Sequence, residues 1–191
     1  MKLKLLSLLL VLSLIIMPSC SSDIEKLKEE YITVKIDVYN YGTITMRVYP
    51  EIAPKTVDRF ITLVEEGFYD GLKFHRVIEN FMIQTGSANG SGISDPDMET
   101  IKGEFSDNGF KNELKHKRGV VSMARSQLYN SATTQFFICQ QDSSHLDGQY
   151  AAFGEVIEGM DVVDAIAVVE TDLSDNPLTP VEIERIYIVE E

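Results

Sequence analysis

Phe74-His75-Arg76-Val77-Ile78-Glu79-Asn80-Phe81-Met82-Ile83-Gln84 sets a guanidinium, an amide and several large apolar side chains within one short segment. In an extended strand side chains alternate between faces, so the segment predicts Phe74, Arg76 and Ile78 on one side and His75 and Val77 on the other. A bend at Glu79-Asn80 leads into a second strand over 81–84 laid beside the first. Arg76, Phe81, Met82 and Gln84 then converge on one pocket.

Working outward, Ile32, Val34, Ile36 and Val38 alternate with polar residues, as do Ile44, Met46 and Val48, with Asn40-Tyr41-Gly42 between them. That pattern predicts an amphipathic hairpin. Pro54 opens a segment with Val57, Phe60, Ile61 and Val64 at helical spacing, closed by Gly67, and predicts a helix over 54–66. Strands are predicted over 73–77, 81–85, 120–124, 136–139, 152–156 and 184–189, and a second helix over 160–168. Many strands with two helices make a mainly β chain, and a closed antiparallel barrel is the arrangement that leaves no exposed edge. Residues 86–119 are glycine-rich without periodicity and read as ordered loops along one side of the pocket.

Three further blocks follow the first: Ser122-Met123-Ala124-Arg125, Asn130-Ser131-Ala132-Thr133-Thr134-Gln135-Phe136-Phe137-Ile138, and Leu146-Asp147-Gly148-Gln149-Tyr150-Ala151-Ala152-Phe153-Gly154. Together with Phe74 to Gln84 they resemble, in order, the signature blocks of the cyclophilins, the peptidyl-prolyl cis-trans isomerases, over about residues 31–189. The resemblance implies a closed eight-stranded antiparallel barrel capped by two α-helices. It also implies catalysis by Arg76, Gln84 and Phe81. A proline pocket of Phe81, Met82, Phe137 and Leu146 follows from it, with Gln84 and Gln135 holding backbone groups, and His75, Ala124, Arg125, His145 and Tyr150 contributing to substrate binding. Phe136, next to Phe137 on the opposite face of its strand, is read as core.

The residues suit that chemistry. Rotation about a peptide bond faces about 18–20 kcal/mol because nitrogen lends its lone pair to the carbonyl, and X-Pro bonds turn over in tens of seconds or longer. A guanidinium donating to the prolyl nitrogen favours the twisted transition state, where that nitrogen is pyramidal and basic. No nucleophile, metal or cofactor is required. An acceleration of about a millionfold corresponds to about 8 kcal/mol, and one charged hydrogen bond supplies about 1.5–3 kcal/mol. Desolvation in the apolar pocket and fixing of the peptide flanks must supply the remainder.

Three positions depart from the family pattern. His145 stands where many eukaryotic members carry the tryptophan that matters for tight cyclosporin binding, which predicts weak binding of that drug. Tyr150 replaces a histidine. Ser87, in Thr85-Gly86-Ser87-Ala88-Asn89-Gly90-Ser91-Gly92, replaces an acidic loop residue and predicts a lost anchor under the active strand. The third histidine, His116, lies among Lys115, Lys117 and Arg118 and reads as solvated.

At the N-terminus, Lys2 and Lys4 precede an apolar run and Met17-Pro18-Ser19-Cys20. The run is too short to span a bilayer comfortably and has the order of a secretory signal. Its end resembles the lipobox of bacterial lipoproteins. Residues 1–19 are therefore read as a signal peptide, Cys20 as the lipidated residue, 20–30 as a polar tether with a helical turn at 24–29, and 31–191 as one isomerase domain. Removing Lys2 and Lys4 from 17 basic residues leaves 15 against 30 acidic ones, a net charge of −15. Such a chain is a poor partner for nucleic acid or an anionic lipid surface. The expected partners are proline-containing peptides and unfolded exported proteins outside the cytoplasm, met by a lipid-anchored monomer. The alternative is an anchored proline-peptide-binding or scaffolding module with weak catalysis. Cys139, in an apolar run, reads as an inert core thiol.

Overall fold

The computed structural model describes residues 21–93 and 96–189. The expected signal segment 1–19 and Cys20 lie outside the described residues. Eight strands, β1 (Ile32–Val38), β2 (Gly42–Val48), β3 (Arg76–Ile78), β4 (Met82–Thr85), β5 (Val120–Met123), β6 (Phe136–Cys139), β7 (Ala152–Glu158) and β8 (Ile183–Ile188), form one antiparallel sheet in the order β3-β4-β6-β5-β7-β2-β1-β8. Helices α1 (Ser21–Leu27), α2 (Pro54–Glu65) and α3 (Met160–Ala167) accompany it.

The sheet is open, which corrects the closed barrel expected from sequence. Its end strands β3 and β8 are not paired with each other. Only an isolated bridge, Lys73 with Glu182, and backbone bonds such as Phe74 N–H to Val181 O at 3.0 Å cross the seam. The reason is local. Strand β3 is three residues long, and Val77 gives its N–H to the carbonyl of Asp175 at 2.8 Å, so a loop rather than β8 borders it.

The same brevity overturns the predicted alternation at 74–75. Phe74 and Val77 both enter the main core, whereas His75 and Arg76 both line the pocket described below. From Arg76 onward the period of two holds. Ile83, Phe136 and Ile138 face the main core, while Met82, Phe137 and Cys139 join Leu146 in a separate cluster on the opposite face. Phe136 packs edge-on to Phe60 at 5.3 Å and to Tyr69 at 5.4 Å between ring centroids.

Helix α2 buries Val57, Phe60, Leu63 and Val64 in that core. Its own N-cap, Ala53, supplies no side-chain bond. The carboxylate of Glu104 does so from a distant loop, accepting Lys55 N–H at 3.0 Å and Thr56 N–H at 2.8 Å, which satisfies donors that an α-helix leaves unpaired. Within the stretch read as a tether, Ile24 and Leu27, joined by Tyr31 just after it, pack against Tyr49, Ile52, Leu114, Val120 and Ala152. Lys28 pairs with Glu155 at 2.9 Å beside them.

Candidate active site

A pocket of about 270 Å³ opens on the face of β3, β4 and β6 turned away from the main core. The hairpin turn Glu79-Asn80 makes it possible, with Asn80 at φ 62° and Phe81 N–H bonded to Ile78 O at 3.1 Å. Asn tolerates that left-handed conformation better than most residues. The turn pairs Arg76 with Gln84 across the two strands, and Gln84 in turn faces Phe137 of β6. Cross-strand neighbours on one face lie within side-chain reach, so the guanidinium, an amide and an aromatic ring adjoin by register alone.

Phe81, Met82, Phe137 and Leu146 supply the apolar wall. Arg76 stands at the edge with 44% of its side chain exposed, and His75, Gln84, Ala124, Arg125 and Tyr150 complete the lining that the sequence named. Two expected site residues lie outside this lining. Gln135 lines an adjoining cavity. His145 packs its ring on Phe81 at 5.4 Å and 37°. Tyr150 stands edge-on to Phe137 at 5.9 Å.

A polar relay underlies the pocket. Gln84 Nε2 donates to Gln135 Oε1 at 2.9 Å, and Gln135 Nε2 donates to Gly92 O at 3.0 Å. Gly92 ends the loop in which Ser87 replaces the family's acidic residue. Buried Ser87 accepts Gly92 N–H on its Oγ at 3.1 Å and donates to Asn89 Oδ1 at 3.2 Å, so both bonds stay within the loop and neither reaches β3. Gly86 begins the same loop at φ 89°, and a Cβ there would meet Thr134 O at 2.5 Å and Gln135 Cα at 2.8 Å. Only glycine lets β4 pass that close to the residue before β6.

His116 is a correction. It is 1% exposed rather than solvated, because Asp147 draws it inward. Asp147 Oδ1 accepts the His116 backbone N–H at 2.8 Å and lies 3.1 Å from Nδ1, while Nε2 lies 3.0 Å from Ser122 Oγ. This Ser-His-Asp set has the contacts of a nucleophile triad. Ser122 is fully buried, however, and the imidazole stacks behind Phe137 at 6.2 Å and 17°, so the set supports the pocket wall.

Burial pushes the His116 imidazole below its ordinary 6.5, and it does the same to the buried imidazole of His75. The unfolded chain therefore takes up protons near pH 6.5 that the folded chain refuses until lower pH. Stability from this source is fully present above about pH 6.5 and is lost as pH falls through the folded-state values. The melting temperature is expected to be level from pH 8 to 7 and to fall between pH 6.5 and 5, before the carboxylates titrate. A melting temperature unchanged at pH 5 in thermal scans would contradict this. The Cys139 thiol, fully buried, is pushed up to about 12 by burial and is inert.

Sequence reasoning missed the loop between α3 and β8. Ser174 and Asn176 line the pocket, and Asp175 Oδ2 lies 3.3 Å from Arg76 Nε. The loop is shaped by Asp172, whose Oδ1 accepts Ser174 N–H at 2.8 Å and Asn176 N–H at 3.0 Å. The Asp-x-Ser-Asp-Asn turn chemistry was the available signal, but nothing local places it beside a strand ninety-nine residues away. With Nε held by Asp175, the terminal nitrogens of Arg76 remain for a ligand. The pair is nearly half exposed, so its Coulombic term is small and its ordering effect dominates. Asp175→Ala is expected to lower kcat on an Ala-Pro peptide about two- to fivefold with KM little changed. Steady-state isomerisation kinetics check it, and an unchanged kcat would show that Arg76 needs no such hold.

The arrangement sets the guanidinium of Arg76, held on one side by Asp175, at the mouth of a pocket with one apolar wall and amides along a flank. Comparison with known proteins agrees with that geometry. The sequence model of the cyclophilin type peptidyl-prolyl cis-trans isomerase/CLD family matches residues 31–188. The chain is 39% identical over 150 residues to peptidyl-prolyl cis-trans isomerase-like 1 of Emericella nidulans, covering 78% of this chain and 90% of that one. It is likewise 39% identical over 151 residues to peptidyl-prolyl cis-trans isomerase-like 2 of Gibberella zeae, where the match spans 25% of a longer protein. Among solved structures, a Cryptosporidium parvum cyclophilin type peptidyl-prolyl cis-trans isomerase, crystallised in the presence of the dipeptide Ala-Pro, superposes with TM-score 0.76 at 29% identity, over 83% of this chain and 99% of that one. With the family's pattern present from β1 to β8 and its pocket built on β3, β4 and β6, this chain belongs to the cyclophilin-type peptidyl-prolyl cis-trans isomerases.

Proposed function

We propose that the protein rotates X-Pro bonds of exported polypeptides outside the cytoplasm, held at a membrane through Cys20. The observation that carries the catalytic part is Arg76 at the rim of a pocket walled by Phe81, Met82, Phe137 and Leu146. The proline ring occupies that apolar wall, and a terminal N–H of Arg76 donates to the prolyl nitrogen as it becomes pyramidal. That hydrogen bond hardly exists in the planar ground state, so it lowers the barrier rather than merely tightening binding. Gln84, whose Oε1 has no bond among the described residues, holds the peptide backbone beside the turning bond, while His75, its ring nitrogens enclosed, shapes the pocket edge. The solved relative's Ala-Pro dipeptide supports a proline peptide as the occupant. The alternative, a binding module with weak catalysis, draws its support from the altered loop at Ser87, and the presence of Arg76, Phe81, Met82, Gln84, Phe137 and Leu146 together in one lining favours turnover.

Isomerisation of an Ala-Pro peptide by the purified full chain tests the activity: acceleration is expected, and an uncatalysed rate with folded protein would sink it. Membrane fractionation of cells making the parent and Cys20→Ser tests the location, with the parent in the membrane fraction and the variant released. A parent found wholly soluble would overturn the anchor. Weak cyclosporin binding, expected from His145 in place of tryptophan, is read by calorimetry.

A further inference from the structure

In a chain of net charge −13, the pocket lining carries two arginines and no carboxylate. Arg76 is paired with Asp175. Among the described residues Arg125 has no acidic partner: its Nε donates to Gln149 O at 2.9 Å and its Nη1 to Ser126 O at 2.8 Å, both backbone carbonyls. Three aromatic rings hold the guanidinium, Tyr150 at 4.5 Å, Tyr129 at 5.0 Å and Phe105 at 5.2 Å from Cζ to centroid. Such a cage orders the side chain without neutralising it. A cation fixed in advance loses little freedom when a ligand arrives.

Its placement decides what it acts on. Arg125 lines both the proline pocket and an adjoining cavity of about 380 Å³, and among the described residues it is the one charged side chain in the lining of the second. The two share Gln84, Gly92, Ala124 and Arg125, so a peptide leaving the proline pocket on that flank runs past the guanidinium. An extended chain advances about 3.3 Å per residue, which sets the residue concerned within about three of the proline.

We propose that Arg125 is a specificity-determining residue that selects substrates with a carboxylate side chain within three residues of the isomerising proline, on the flank that crosses Gln84 and Gln135. The proposal rests on the proline occupying the wall of Phe81, Met82, Phe137 and Leu146. A lysine at the same substrate position meets a fixed like charge and is disfavoured, so attraction and repulsion add in the comparison of the two peptides.

The test is a peptide series containing one Ala-Pro bond, with Asp, Ala or Lys placed in turn at each of the three positions before and after it, turned over by the full chain. At one position the Asp peptide is expected to exceed the Lys peptide about five- to tenfold in kcat/KM at low salt, with the ratio shrinking at about 0.5 M NaCl. Arg125→Gln, which keeps a hydrogen-bond donor, flattens the ratio, and Arg125→Glu inverts it. Because the readout is a ratio within each variant, a partial loss of folded protein does not move it. A flat ratio at every position in an active parent, or the same ratio in parent and Arg125→Gln, overturns the role of Arg125. Turnover of no peptide by the parent sinks the isomerase reading and this one together.

Discussion

Arg76→Ala will lower kcat/KM for an Ala-Pro peptide by about 10²–10³-fold, the loss typical when a donor aimed at developing transition-state charge is removed. The prediction follows from what is present in the pocket. Among the described lining residues Arg76 and the aromatic-caged Arg125 are the only arginines or lysines, and no carboxylate stands with them. Truncation leaves the prolyl nitrogen with no charged donor as its lone pair localises. Little stability should be lost, because the side chain is 44% exposed and its ion pair with Asp175 is weak. Arg76→Lys should recover only part of the rate, since an ammonium lacks the planar fork that can serve nitrogen and carbonyl together. A protease-coupled isomerisation assay with parallel thermal melts reads both effects. A variant that keeps most of the parental rate would place the catalysis in the pocket's desolvation alone.

The second large effect separates two adjacent phenylalanines. Phe136→Ala is expected to cost about 3–5 kcal/mol of stability, a large share of the roughly 5–15 kcal/mol that holds a domain folded. Phe136 is fully buried at the meeting of Phe60 and Tyr69, and truncation leaves a cavity that strands and helix α2 cannot both close. Melting should drop by about 10 °C or more. Phe137→Leu fills most of its own space and should cost less than about 1.5 kcal/mol. It removes the ring that forms the pocket wall between His116 and Tyr150, however, so kcat/KM should fall about tenfold, mostly through KM. Equal destabilisation by the two changes in denaturant titrations would contradict the division of β6 into a core face and a pocket face.

That division was legible in the sequence, because a strand of period two separates adjacent residues whatever surrounds it. The same holds for β1 and β2, whose alternation and Asn-Tyr-Gly turn specify a hairpin locally, and for α2, begun by Pro54 and ended before Gly67. Where the reading failed, the cause lay outside the local pattern. His116 sits among three basic residues and looks solvated, yet Asp147, thirty-one residues on, supplies the bonds that make its burial tolerable. Glu104 lies in the loops without periodicity and is 1% exposed, because the unpaired donors of α2 come to it. The run 73–75 reads as strand and is not, since its partners are a bridge and a loop rather than a ladder.

By itself the sequence determined the strand and helix order, the two faces of β4 and β6, and the convergence of Arg76, Phe81, Met82 and Gln84. These follow from side-chain alternation and turn chemistry, which act over a few residues. The tertiary structure alone decided that the sheet stays open between β3 and β8 and that Asp175 holds the guanidinium of Arg76. It alone decided that Ser87 bonds Gly92 within its loop, and that Arg125 stands caged beside the groove with no acidic partner among the described residues. Each of those depends on which distant backbone or charge arrives at a given position, and pairwise contacts across the chain leave no trace in local periodicity.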